Sequence, residues 1–255
     1  MLTIFTTCTP FTGERIRTQR NGILSWRNLT PSPEILIMGG REEGVQAFAE
    51  ENNIKIVDVE YNEHNMPYFD SMFKMARKEA QYDILCFTNS DIIHFQCLMK
   101  AVKVLKKSGL EEYVATGQRY DLDIDFDLNE SIDVDERIYK KLKGIELTSP
   151  SAGDYFIFPK SLDWSHMPHF IYGIPNCDTW LNADTLERKI PLVDATHDVV
   201  LVHQKHGKPW KVNNPDFDRQ HQYNIRLAGP KSVGCDVATY ALVDGRIRGK
   251  WERYA

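Results

Sequence analysis

The chain has 255 residues, 42% hydrophobic and 26% charged, with a formal net charge of −5. It is long enough to bury a sizeable core unaided, and its acidic balance argues against a nucleic-acid-binding surface. Five widely spaced cysteines without a C-x-x-C pair argue for free thiols in a reducing compartment and against structural zinc.

Met1-Leu2-Thr3-Ile4 carries no basic segment of the kind that opens a signal peptide. No apolar run approaches the ~20 residues that span a bilayer, so the expected location is cytoplasmic. Leu2–Thr7 and Glu34–Met38 are β-rich runs, and Arg15–Leu29 between them carries Ile16, Ile23 and Leu24 as a helix would. Val45, Phe48 and Ala49 give a further helical spacing, followed by a strand over Lys55–Val59. Phe69, Met72, Phe73 and Ala76 fall at i, i+3, i+4 and i+7, the clearest amphipathic helix in the chain. Ile84–Phe87 is apolar on both faces, as a central parallel strand is. Phe95, Leu98, Val102 and Leu105 predict a helix closed by Gly109. Later strands are expected at Tyr113–Thr116, Tyr155–Phe158 and Val199–Val202. Strands alternating with helices imply an α/β fold, a Rossmann-type, mostly parallel sheet flanked by helices in a single domain over 1–255.

Ligands of open α/β sheets bind beyond the carboxyl ends of the strands. Asn89-Ser90-Asp91 stands at such an end. A carboxylate there suits Mn²⁺ or Mg²⁺, whose shell phosphates and water complete, although Asp91 could equally cap the helix that follows. The rival acidic run, Asp121-Leu122-Asp123-Ile124-Asp125-Phe126-Asp127, fails as a calcium loop. Phe126 occupies the position that needs glycine, and Ile132 the position that needs glutamate. It reads instead as a solvated acidic face. Val199–Val202 delivers His203 and His206 at its end, and imidazole with carboxylate is an acceptable Mn²⁺ set. Asp178 is a candidate general base or a helix cap, and Asp154 could bind a sugar hydroxyl or shape a turn.

The order of these pieces resembles a known family. Thr-Gln-Arg-Asn-Gly-Ile-Leu-Ser-Trp (18–26), Ile-Leu-Ile-Met-Gly (35–39), Asn65-Met66-Pro67 and Ser-Met-Phe-Lys-Met-Ala-Arg (71–77) precede Asn89-Ser90-Asp91. Together they look like a nucleotide-sugar glycosyltransferase of the GT-A fold, in the broad family-2-like group. The resemblance implies a nucleotide-sugar-binding half over about 1–95 and an acceptor-binding half over about 96–255. It implies that Asp91 is the metal ligand of a D-x-D-like triplet and that Asn89, where the family usually has Asp, touches ribose or sugar. It places Thr6 and Thr7 near the nucleobase, Glu42 or Glu43 at its edge or at the ribose, and Asn65 along the donor pocket. His203 matches the late histidine that completes the metal shell, and Asp178 the base of inverting members. Trp180, in the Trp- and His-rich second half, is expected to help hold the substrates. The partners implied are a UDP- or GDP-sugar donor and a glycan or other hydroxyl acceptor. The other class of reading is a non-catalytic nucleotide-sugar or glycan-binding module derived from such an enzyme. A sugar nucleotidyltransferase is disfavoured, because Gly13-Glu14-Arg15-Ile16-Arg17 is too poor in glycine for a phosphate loop.

Overall fold

The computed structural model describes residues 1–128, 134–207 and 214–250. Its strands are β1 (Thr3–Thr6), β2 (Glu34–Met38), β3 (Lys55–Val57), β4 (Ile84–Thr88), β5 (Ile92–His94), β6 (Val114–Thr116) and β7 (Tyr120–Leu122). They continue with β8 (Tyr155–Pro159), β9 (Leu192–Asp194), β10 (Leu201–Gln204), β11 (Tyr240–Val243) and β12 (Arg246–Gly249). The helices are α1 (Glu14–Arg27), α2 (Val45–Glu51), α3 (Phe69–Glu79), α4 (Cys97–Lys107), α5 (Val134–Lys141), α6 (Cys177–Glu187) and α7 (Phe217–Ala228). Ile132, used above to reject a calcium loop, lies outside the described residues.

Nine strands form one sheet in the order β12-β11-β9-β6-β8-β4-β1-β2-β3. The pairings β3–β2–β1–β4 are parallel, while β8 runs antiparallel to both β4 and β6. The pairings β6–β9 and β9–β11 are again parallel, and β12 closes the edge as an antiparallel hairpin. The sheet is thus mostly parallel, as the alternation of elements predicts.

Burial on both faces accounts for the apolar central strands. Ile84 and Cys86 of β4 join a core shared with α1, α2 and α4, whereas Leu85 and Phe87 join the opposite core with α3 and α6. Alternate side chains of a strand point to opposite faces, so a strand between two helical layers has no polar side to show. The spacing of Phe69, Met72, Phe73 and Ala76 has the same origin, since all four bury against that second core.

A second, three-stranded sheet, β5-β10-β7, stands at the carboxyl end of β4. Of its strands only the Val199–Val202 run is legible in sequence, overlapping β10, because all three are short and their pairing is non-local. Helix α1 lies against β5: the Trp26 indole Nε1 donates to Ile92 O at 2.8 Å, and the His94 amide to Ser25 Oγ at 3.1 Å. The approach is close because α1 carries Gly22 at the contact. A Cβ there would sit 2.1 Å from the Ser90 carbonyl oxygen and 3.1 Å from that of Ile92. Both obstacles are backbone, so neither can rotate away. Gly22→Ala should therefore lower stability by about 1–3 kcal/mol, as overpacking does. In urea unfolding this would show as a reduced midpoint with an unchanged m-value.

Candidate active site

Register builds the site. Antiparallel pairing of β4 with β8 matches Thr88 to Tyr155, so the next residues outward, Asn89 and Asp154, face one another. The Asn89 amide donates to Asp154 O at 3.1 Å, and Asn89 Nδ2 to Asp154 Oδ1 at 2.7 Å. The Tyr172 hydroxyl donates to Asn89 Oδ1 at 2.6 Å. Asn89 is therefore held at both ends of its amide, and its donation to Asp154 uses an N–H that a carboxylate lacks. An Asp at this position would set a second carboxylate against Asp154, which is only 3% exposed, so the departure from D-x-D has a local cause.

The small sheet brings in the histidines. In β10, His203 pairs with Ile92 of β5, beside Asp91, and with Asp121 of β7 on its other side. His203 accordingly lies inside the strand, not past its end as the apolar run Val199–Val202 suggests. The strand reaches Gln204 because the Gln204 amide is fully buried and used, donating to Thr18 O at 2.7 Å and Asp91 O at 2.9 Å. His203 Nε2 approaches Asp91 Oδ2 at 3.8 Å and His206 Nε2 at 2.8 Å, with Arg15 Nη1 at 3.4 Å. The other carboxylate oxygen, Asp91 Oδ1, is buried with no hydrogen-bond partner among the described residues. Asp91 is 7% exposed. Burial would raise its pKa, but the hydrogen bond from His206 and the charges of His203, His206 and Arg15 outweigh that and hold it below the usual carboxylate value.

Asp91 does not cap the following helix. Strand β5 intervenes, and α4 begins after Gln96, which makes no side-chain cap. Asp121, assigned above to a solvated acidic face, instead accepts hydrogen bonds at the site: its Oδ1 lies 3.0 Å from His203 Nδ1 and 2.9 Å from Arg119 Nε. The rest of the run fits the earlier reading, with Asp123, Asp125 and Asp127 exposed. Arg119 Nη1 also pairs with Asp154 Oδ2.

These groups open onto a cavity of about 670 Å³. Asn89, Asp91, Asp154 and His203 line it at one end, and Thr7, Glu42 and Asn65 contribute elsewhere, drawn from both halves of the chain. Asn65 Nδ2 donates to Glu42 Oε1 at 3.3 Å. Cys8 also lines the cavity, but burial pushes its thiol up to about 12, which removes it as a nucleophile near neutrality.

Three expected site residues lie off the lining. Thr6 is fully buried in β1 behind Thr7. Trp180 is 3% exposed and packs against Phe170 at 5.4 Å in the core, so it is a packing residue rather than a substrate contact. Asp178, in the first turn of α6, sits behind Gly153: its Oδ2 accepts from the Gly153 amide at 3.4 Å and its Oδ1 from the Thr179 amide at 2.9 Å. It is not a helix cap, that position being Asn176. Burial, with help from the charge of Asp154, pushes the Asp178 carboxyl up to about 6.

Arg15, Arg119, Tyr172 and His206 join the site from the structure. His206 was visible in sequence as a neighbour of His203. Nothing in the local pattern marks the other three.

No protein-family model matches the chain, and no curated protein matches it either. Solved structures do. A mannosyltransferase, PcManGT from Pyrobaculum calidifontis, in complex with GDP-Man and Mn²⁺, is 15% identical with a TM-score of 0.50, over 88% of this chain and 64% of that one. Residues 1–349 of S. aureus TarS align at 10% identity and a TM-score of 0.50, over 90% of this chain and 64% of that one. A protein provisionally named a nucleotide-diphospho-sugar transferase, from Desulfovibrio desulfuricans G20, aligns at 11% identity and a TM-score of 0.50, over 91% and 98%. The chain spans about 64% of the length of the first two. Among the described residues no helix is long and apolar enough to cross a membrane. At these identities the likeness is one of architecture: the chain shares the GT-A-like fold of these structures.

Proposed function

We propose that the chain is a divalent-metal-assisted glycosyltransferase that moves a sugar from a nucleoside-diphosphate donor to a hydroxyl acceptor with inversion. The observation that carries this reading is the convergence of Asp91, His203 and His206, whose ligand atoms lie within 4.8 Å of one another at the mouth of the central sheet. The orphaned Asp91 Oδ1 is an acceptor that a cation would satisfy. The histidines fit the same role. His203 Nδ1 is engaged by Asp121, and His206 Nδ1 by the Gly207 carbonyl at 2.6 Å, so each ring turns Nε2 toward Asp91. A metal-ligating histidine is commonly fixed by a carboxylate or carbonyl on its other nitrogen. Two imidazoles and one carboxylate favour Mn²⁺ over the harder Mg²⁺. A bound cation would neutralise charge on the departing diphosphate.

The remaining work falls to side chains of this protein. Thr7, Glu42 and Asn65 would hold the nucleoside, and Asn89 with Asp154 the sugar hydroxyls, in near-attack geometry. Asp178, which stands off the cavity lining behind Gly153, would take the acceptor hydroxyl's proton through one intervening water. The acceptor oxygen bonds to the anomeric carbon, the bond from that carbon to the diphosphate oxygen breaks, and its electron pair leaves with the diphosphate. The fold likeness to a mannosyltransferase bound to GDP-Man and Mn²⁺ supports both the donor class and the metal.

The test is a panel of UDP-, GDP- and dTDP-sugars with and without Mn²⁺. One donor at 100 times its Kd should raise the melting temperature by about 5–10 °C. The same donor should release free nucleoside diphosphate by slow hydrolysis, and only with metal present. Binding without any release, by any donor and acceptor offered, would favour the non-catalytic module. A panel that neither binds nor reacts would defeat the proposal.

A further inference from the structure

We propose that Arg119 binds the β-phosphate of the sugar donor and stabilises the diphosphate as it leaves. The inference rests on the transferase reading above and adds to it a phosphate-binding group supplied by the protein.

The charge distribution points there first. The chain is acidic overall, at −5, yet two arginines, Arg15 and Arg119, stand in the cavity lining beside Glu42, Asp91 and Asp154. Of the two arginines, Arg15 meets one carboxylate, Asp91, through Nη1 at 3.4 Å, and Arg119 meets two.

Arg119 is built differently. Its Nε is fixed by Asp121 and its Nη1 by Asp154, so a carboxylate within β7 and one just before β8 set the plane of the guanidinium. Its side chain keeps 18% exposure and lines the cavity, and Nη2 has no hydrogen bond to the described residues. A guanidinium fixed through Nε and Nη1, with Nη2 open to the cavity, offers a charge-assisted donor to one phosphate oxygen.

The network also joins the proposed phosphate contact to the proposed metal ligands. Asp121 Oδ1 accepts from both Arg119 Nε and His203 Nδ1, so the two groups hold a common position. During transfer the bond between the anomeric carbon and the β-phosphate oxygen breaks, and the departing oxygen takes the electron pair. The Arg119 contact strengthens as that charge develops, which is where a fixed cation lowers a barrier.

Calorimetric titration of the full chain in Mn²⁺ with GDP, UDP and the corresponding monophosphates tests the assignment. One charge-assisted bond to phosphate implies that Arg119→Met weakens diphosphate binding about 10–100-fold and monophosphate binding no more than about 2-fold. Asp154→Asn should move the other way, holding or tightening diphosphate affinity, because it frees the Nη1 edge. Arg119→Met leaves Asp154 buried without its cation. The double variant Arg119→Met/Asp154→Asn therefore serves as the fold-safe control and should show the same diphosphate loss with a wild-type melting temperature. Equal weakening of mono- and diphosphate, loss of diphosphate binding in Asp154→Asn, or no change in Arg119→Met would each overturn the assignment while leaving the transferase reading intact. Wild-type protein that binds no nucleoside diphosphate would overturn both.

Discussion

Asp178→Asn is expected to lower turnover by about 10²–10⁴-fold, the range general-base removal costs, while leaving the protein at least as stable as wild type above neutral pH. The two halves of this result share one cause. Burial behind Gly153 pushes the Asp178 carboxyl up to about 6 from an ordinary 3.8. An acid raised in this way binds its proton more tightly folded than unfolded. Between about pH 4 and 6 the native state therefore holds the extra proton, and stability falls as pH rises through that window. Above pH 6 the buried charge is a liability that an amide removes. The Asn side chain can still accept from the Thr179 amide, which holds Oδ1 at 2.9 Å. The activity of the wild type should follow the opposite slope, with kcat/KM declining below about pH 6 as the base is protonated. Thermal melts and pH–rate profiles of the two proteins check both halves. Turnover by Asp178→Asn equal to wild type, with the true acceptor, removes Asp178 as the base.

Asp91→Ala is the second large effect. It should reduce turnover by about 10²–10⁴-fold, since a Lewis-acid role contributes several kcal/mol at 1.36 kcal/mol per decade. Mn²⁺ should no longer raise the melting temperature of this variant. The substitution removes a counter-charge as well as a ligand. Arg15, His203 and His206 all approach Asp91 Oδ2, so three positive or protonatable groups lose their partner together. Asp91→Asn keeps the shape and one acceptor oxygen while deleting the charge. It should fold more nearly like wild type and still fail to respond to Mn²⁺. A full metal response in either variant would remove Asp91 from the coordination set.

The central sheet was legible in sequence because its signals are local. An Ile84–Phe87 run that is apolar throughout has one good solution, burial between two helical layers, and the structure provides it. The Asn89-Ser90-Asp91 turn was legible as a place, since a strand end with polar groups is where such sheets bind ligands. Its chemistry was legible only in part. Asp91, His203 and Asp121 meet through the pairing of three short strands distant in sequence, and no local pattern encodes that register. For the same reason Asp121 read as a surface acid, although one strand pairing turns it into the support of His203. Trp180 misled through its type: a large aromatic near a carboxylate suggests a sugar platform, yet eleven-residue α6 buries it against Phe170. Asn89, where the resemblance leads one to expect Asp, has a local reason that sequence does not display. Its neighbours Asp154 and Tyr172 give an amide there a reason that a carboxylate would not satisfy.

The central claim is that one cation is held by Asp91, His203 and His206 at the donor's diphosphate. Anomalous diffraction from crystals grown with Mn²⁺ and a nucleoside diphosphate tests it most directly. The expected result is a single strong manganese peak bonded to the Asp91 carboxylate and to His203 or His206 Nε2, with phosphate oxygens completing the shell. A nucleotide bound in the cavity with no manganese at Asp91, or with manganese bound elsewhere on the chain, would contradict it.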